Sequence, residues 1–489
     1  MKSAIPALIC IALLMLSGCT VGPNYTRPSV PSAPEFKEPG PETFKEMAGW
    51  KTAQPSDQAL RGNWWELFQD TQLTALEVQV DTANQTLKQA AANFQAARAA
   101  IRVSRSNQAP TITAGPSVGA ERLSVNEPYF NRAAATPGTG NFTLPFDLNY
   151  EVDFWGRIRR SVTSSIERAQ ASAADLETAR LSLHAELAVD YFDLRSADGQ
   201  DKLLAETVQA YQAAVQLTED RYDGGAAPES DVTQARTQLQ AAQAAKTDVA
   251  VQRAQYEHAI AVLTGKPPSA LTVAASPLSI QFPLPAVPGA LPSQLLERRP
   301  DIAAEERRMA AANEQIGIAQ AAFYPTVSLS AVAGFAGTSP LNWLTWPSRL
   351  WAVGPTLSQT LFDHGLRRAN KEIAVDNYDA AVAAYRQSAL SAFQEVEDNL
   401  AALRELETEA QQQHAATESA DRSLELFNTR YEGGVDTYLQ VITWQTAALQ
   451  NARNDIDIMR RRLEADVLLI KALGGGWNIS SLPQVAALK

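Results

Sequence analysis

Apolar and polar residues alternate from Phe142 to Phe154. Phe142, Leu144, Phe146, Leu148, Tyr150, Val152 and Phe154 share one face, and Thr143, Asp147, Asn149, Glu151 and Asp153 share the other. A period of two predicts a strand with one apolar face. Three weaker copies carry the same period: Ile112, Ala114, Val118; Val327, Leu329, Ala331, Ala333, Phe335; and Trp351, Val353, Leu357, Leu361. From Ile158 the step lengthens to three or four through Val162, Ile166, Ala169, Ala173, Leu176, Leu183, Leu187, Tyr191 and Leu194, the apolar stripe of a helix. Arg157 to Tyr222 and Leu366 to Tyr431 contain no proline and only one glycine, Gly199. At ~1.5 Å per residue each stretch extends roughly 100 Å as a helix. A return helix from about Ser230 to Leu263 covers about half of the first, so the upper half is expected to pair with the helix before the strands, near Leu76 to Ser106.

The chain repeats itself at an offset of about 209 residues. Arg221-Tyr222-Asp223-Gly224-Gly225 matches Arg430-Tyr431-Glu432-Gly433-Gly434, and Gly265 falls opposite Gly474. Ile101 through Pro110 pairs with Ile316 through Pro325 at a slightly larger offset. The fold class that follows is mainly α with a β-barrel contribution, built from a duplicated helix, strand, strand, long helix, helix unit. The organisation read from the sequence is a signal peptide over 1–18, an extended segment over 19–70, a first repeat over 71–265, a linker over 266–296, a second repeat over 297–475 and a tail over 476–489. Strands are expected at about 111–122, 141–155, 326–336 and 350–362, and turns between long helices at about 221–229 and 430–438. The linker holds seven prolines between Lys266 and Pro292, which exclude a regular helix and favour a strap around the helices.

Lys2, the apolar run Ile5 to Leu16, and Leu16-Ser17-Gly18-Cys19 form a signal of bacterial lipoprotein type, with Cys19 as the lipidated residue. Thr20 in place of aspartate resembles a signal for outer-membrane sorting. Of the two cysteines, Cys10 leaves with the signal and Cys19 carries lipid, so the mature chain has no disulfide. The net charge of −12 argues against a nucleic-acid partner.

Each strand has about the length that crosses an outer membrane, and Tyr129, Phe130, Trp343, Trp346 and Trp351 cluster in or beside the strand connections like an interfacial girdle. A soluble sheet with one wet face gives the same alternation. In lipid, four strands cannot close a barrel and open edges are not tolerated, so three copies with twelve strands are expected. Asp147, Glu151 and Asp153 would then line the lumen.

At the turns, Gly224, Gly225, Gly433 and Gly434 suit left-handed backbone. The Arg-Tyr pairs before them read either as helix caps or as side chains that tie neighbouring helices at a gate. The gate set is Arg221, Tyr222, Arg430 and Tyr431, with Leu439 as an apolar constriction and Asp436 nearby.

Cys19-Thr20-Val21-Gly22-Pro23-Asn24-Tyr25 with Arg27-Pro28, Trp64-Trp65-Glu66-Leu67-Phe68-Gln69-Asp70, and Glu297-Arg298-Arg299-Pro300-Asp301-Ile302 through Ile316-Gly317 to Tyr324-Pro325 resemble the outer-membrane efflux lipoproteins of nodulation-T type, within the TolC-like outer membrane factor family. The resemblance covers essentially the whole mature chain. It implies a homotrimer with a twelve-stranded barrel above a twelve-helix periplasmic tunnel, a periplasmic adaptor and an inner-membrane transporter as partners, and no cofactor. Thr443 stands where such relatives often carry an aspartate four residues after the leucine, here Leu439.

His184, His258, His364 and His414 are scattered without metal-ligand spacing, His184 and His414 reading as helix-surface residues, and no nucleophile or phosphate-loop motif is present. An enzyme is therefore not expected. A coiled-coil tethering lipoprotein accounts for Cys19 and the helices but not for the strands or the duplication. A type I protein-secretion duct is the other channel reading, and efflux of small molecules is favoured by the lipoprotein resemblance.

Overall fold

The computed structural model describes residues 20–30, 36–38, 62–122, 124, 126, 138–285 and 296–488. Cys19, Tyr129 and Phe130 lie outside the described residues. The elements are α1 (Thr71–Ala83), α2 (Gln85–Ser106), β1 (Thr111–Ala114), β2 (Ser117–Glu121), β3 (Thr139–Val152), α3 (Arg157–Asp223), α4 (Glu229–Leu263), α5 (Pro300–Ala321), β4 (Thr326–Gly337), β5 (Arg349–Ser358), α6 (Leu366–Glu432) and α7 (Tyr438–Ala472).

Both long helices are unbroken, with 67 residues each. Each starts after a left-handed glycine, Gly156 or Gly365, with an aspartate beside the first turn. Asp153 accepts from the amides of Ile158 and Arg159, and Asp363 from that of Arg367. These carboxylates satisfy N–H groups that a helix start leaves free.

The helix expected from Leu76 to Ser106 is two. Asn84 divides them, because its buried side chain accepts from Leu87 N at 2.9 Å and donates to the Leu263 carbonyl at 2.8 Å. That second bond seats α2 on the end of α4. Gly265 closes the joint, since a Cβ there would lie 2.5 Å from the Ala83 carbonyl oxygen. In the second repeat Gly474 does the same against the Arg298 carbonyl, at 2.0 Å. Two stacked columns result, α2 on α4 and α5 on α7. With α3 and α6 they make a four-column wall in the order α2/α4, α3, α5/α7, α6. Its free edges are the α2/α4 column and α6.

The strands form one antiparallel sheet ordered β1-β3-β4-β5, with β2 also on β3. The first expected strand is split at Gly115-Pro116, where proline lacks a ladder donor. Phe154 and Leu361, read as strand residues, fall just past the strand ends. Register places Ile112 beside Leu148, Leu148 beside Ala331, and Ala331 beside Val353, so the apolar positions of all strands share one face. That face is bare: Ile112 is 67% exposed, Trp351 75% and Leu357 70%. A soluble sheet would cover it.

The main core is a belt at mid-wall, where Trp64, Trp65 and Phe68 pack with Leu187, Tyr191 and Phe192 of α3. His184 belongs to this belt and not to the surface. The turn carrying Trp65 covers it, with ring centroids 4.4 Å apart, and its Nδ1 lies 2.6 Å from the Glu77 carboxylate. Among the described residues no helix is long and apolar enough to cross a membrane.

Candidate functional site: the hairpin tip and the sheet

Both long helices end in the same motif. Gly225 N donates to Tyr222 O at 2.9 Å and Ala226 N to Arg221 O at 2.7 Å; Gly434 N donates to Tyr431 O and Val435 N to Arg430 O, both at 2.9 Å. This is the Schellman pattern, which reverses the chain through one left-handed residue. Only Gly225 and Gly434 are left-handed, with φ of +71° and +73°. Gly224 and Gly433 have right-handed helical backbone, so the expectation that all four glycines are left-handed holds for half of them.

The Arg-Tyr pairs are alike in sequence and unlike in use. Arg221 crosses from the first hairpin to the second: its Nη1 donates to the Glu432 carbonyl at 3.1 Å, and its guanidinium lies 4.7 Å from the Tyr431 ring centre. Tyr431 is buried in a small tip core with Ala235, Tyr438 and Val441. Its hydroxyl donates to Asp231 on α4 at 3.5 Å. Burial, reinforced by Asp231, raises the Tyr431 phenol above its ordinary pKa, so it keeps the proton it donates. Arg430 instead pairs with Asp436 inside its own turn. Tyr222 is 45% exposed and, among the described residues, its hydroxyl has no hydrogen-bond partner. Two of the four expected gate residues therefore join the hairpins within one chain, and Arg430 and Tyr222 do not. Asp436 is occupied by Arg430.

Leu439 is exposed and lines an open cleft of about 540 Å³ with Ile442 on α7 and Ser230, Thr233 and Gln234 on α4. Thr443 turns its hydroxyl back onto the Leu439 carbonyl at 2.9 Å. It offers no carboxylate for a cation. Asp231 and Tyr438 escaped the sequence reading. Tyr438 has Glu229 as its repeat counterpart, so the duplication gave no signal for it.

On the sheet, Asp147 faces Thr113 and Val332 across the ladder and has no ion-pair partner among the described residues. Glu151 and Asp153 differ from expectation. Arg157 grips the Glu151 carboxylate with two bonds of 2.9 and 2.7 Å, and Arg159 lies 3.3 Å from Asp153. The strand-to-helix turn brings these arginines back over the acids, so two of the three expected negative charges are compensated.

The chain just after Cys19 is fixed at this same turn. Thr20 packs on Gly156, and Val21 N donates to the Trp155 carbonyl at 3.1 Å. Gly22, at φ +112°, passes so near Gly317 that a Cβ would lie 2.5 Å from its Cα. Among the described residues no group of three His, Cys, Asp or Glu is arranged to hold a metal ion.

A wall of long helices ending in closed hairpins, continued into a sheet with an uncovered apolar face, defines an outer-membrane channel subunit. Residues 78–266 and 291–475 match the outer membrane efflux protein family, one stretch per repeat, and the chain belongs to that family. It is 32% identical to the toluene efflux pump outer membrane protein TtgF of Pseudomonas putida, over 96% of this chain and 97% of that one. It is 31% identical to the outer membrane protein OprJ of Pseudomonas aeruginosa, over 98% and 97%. The solved outer-membrane channel OprN superposes with a TM-score of 0.83 at 29% identity, covering 94% of this chain and all of that one.

Proposed function

We propose that the chain is the outer-membrane exit duct of a tripartite efflux pump, passing small toxic solutes that an inner-membrane transporter and a periplasmic adaptor hand to it. The carrying observation is incompleteness. Among the described residues the sheet has two unpaired edges, β1/β2 and β5, and the wall has two free columns. In lipid, unpaired strand edges cost several kcal/mol per group, so further copies must close them. Three copies give twelve strands and twelve columns, a closed barrel on a closed tunnel.

In this reading Cys19 carries lipid, Asp147 faces the lumen, and Arg221, Tyr431 and the Leu439 cleft hold the tip shut. Tyr222, Arg430 and Asp436 are left on the outside of the tip for the adaptor. The solute class rests on relatives named for toluene and antibiotic efflux.

The test is deletion of the gene in its host, with retention of a fluorescent efflux dye as the readout. Retention is expected to rise and to fall again when the wild-type chain is restored. Unchanged retention, with an intact transporter and adaptor present, contradicts the proposal.

A further inference from the structure

The register gives every strand position a face, and on the apolar face of the sheet one residue is charged. Pairing sets Arg349 beside Phe335 and Phe335 beside Leu144, so Arg349 shares the face of Trp351, Val353 and Leu357. No other aspartate, glutamate, lysine or arginine of the five strands falls on that face. Arg349 stands at the end of the sheet away from the helices. Leu357 is eight residues further along β5, which is roughly 27 Å of strand and about 20 Å of height at a tilt of roughly 40°. The apolar band of a membrane barrel is about 25 Å tall, so the guanidinium lies at the outer margin of such a band.

The connection from β4 to β5 leans over this same face. Gly337 pairs with Phe142, and a Cβ on Gly337 would lie 3.2 Å from both Asn342 Oδ1 and Trp343 Cα. The Trp343 and Phe142 ring centres are 5.8 Å apart. The connection is pinned from within, since the hydroxyls of Thr345 and Ser348 donate to the Asn342 carbonyl at 2.6 and 2.7 Å. Leu341, Leu344 and Trp346 are left bare, at 93%, 62% and 73% exposure.

The guanidinium of Arg349 is held in place and not used up. It lies 4.1 Å from the Trp346 ring centre, and its Nη1 donates to the Trp346 carbonyl at 3.1 Å. That is its one hydrogen bond among the described residues, and no carboxylate pairs with it there. The remaining N–H donors form a planar fork whose geometry matches two oxygens of a phosphate. A free anion would leave Leu341 and Leu344 uncovered, whereas a lipid brings acyl chains to them.

We propose that Arg349, Trp346 and the exposed leucines of this connection bind the phosphate head group of an anionic lipid in the outer leaflet of the outer membrane, one lipid per chain. The proposal rests on the barrel reading above, which puts the sheet in lipid and this end at the cell exterior. The phosphate takes the free fork of Arg349, and the acyl chains run down the face past Trp351. The lipid thereby covers the outer end of β5, one of the two edges at which copies meet.

Native mass spectrometry of the detergent-purified trimer mixed with lipid A tests this. Wild-type trimers should carry one lipid A per chain and bind lipid A stripped of its phosphates about tenfold less. Arg349→Gln should lower lipid A occupancy about tenfold, and Arg349→Lys, which keeps the charge without the planar fork, severalfold. Inorganic phosphate in excess should leave the lipid bound. Equal occupancy in wild type and Arg349→Gln, indifference to the phosphates of lipid A, or displacement of the lipid by inorganic phosphate overturns the proposal. If Arg349→Gln does not assemble, the comparison of the two lipid forms on the wild type decides. Wild type and Arg349→Gln should conduct alike in planar bilayers, because Arg349 lies on the face opposite Asp147. A wild type that neither trimerises nor conducts overturns the exit-duct reading and the site with it, whereas conducting trimers with unaltered lipid A binding remove the site alone.

Discussion

Arg221 of the first hairpin lies 4.7 Å over the ring of Tyr431 of the second and donates to the carbonyl of the next residue, Glu432, at 3.1 Å. One side chain therefore holds both the end of α6 and the buried Tyr431 ring. A charged hydrogen bond and a cation–π contact at a partly exposed site are worth about 1 kcal/mol in sum. Arg221→Ala should raise the open population of the isolated channel about fivefold, read as conductance in a planar bilayer. Arg430→Ala, which frees Asp436 and the Phe427 ring within the second hairpin and breaks nothing between the two hairpins, should change it much less. Equal effects of the two substitutions would refute the division of roles.

Selectivity follows from which acids are compensated. Asp147→Asn should weaken cation preference, and the wild-type preference should fade with salt as the field is screened. Glu151→Gln leaves Arg157 without its partner and should push selectivity toward anions. Reversal potentials under a salt gradient measure both. No change for Asp147→Asn would remove this residue from the lumen.

The belt has its own pH dependence. Burial, the largest influence, pushes the Glu77 carboxyl up to about 7 from its ordinary 4.5, even though His184 bonds to it and favours its charge; Asp81 adds to the rise. Burial likewise raises Asp190 to about 7, with Glu186 and Asp193 adding repulsion. The folded state binds these protons more tightly than the unfolded chain does. Their contribution to stability is therefore complete below about pH 4 and is lost as the pH rises through 7. The melting temperature in detergent should fall between pH 5 and pH 8, and Glu77→Gln should flatten part of that slope. A melting temperature that rises over this range would contradict the burial argument.

Gly22 is predicted to tolerate no side chain. A Cβ would meet Gly317 Cα at 2.5 Å, and φ is +112°. Gly22→Ala should destabilise the folded chain by about 1–3 kcal/mol. The loss should be visible as a lower melting temperature, with acylation of Cys19 unaffected if lipid attachment precedes folding. An unchanged melting temperature would show that the N-terminal segment is not packed against α5.

Strands and long helices were legible because their periods, two and three to four, extend over many residues, and the duplication fixed both hairpin ends. The tip was legible only in part. Repeat symmetry makes Tyr222 and Tyr431 look equivalent, yet burial depends on the hairpin alongside, and only Tyr431 meets Asp231 and Tyr438. Glu151 and Asp153 read as bare charges because alternation along a strand carries no information about arginines beyond the next turn. His184 read as a surface residue because its cover, Trp65, is 119 positions away in sequence and belongs to a turn that no helical period marks.

The central claim is that copies of this chain close into a conducting pore. Single-channel recording of detergent-purified wild-type protein and of an Arg221→Ala, Tyr431→Ala variant, both taken from the particle with three times the mass of the mature chain, tests it most directly. The account predicts discrete cation-favouring steps, larger or longer-lived in the variant. Bilayers that stay sealed with both proteins, or steps produced by a monomeric particle, would contradict it.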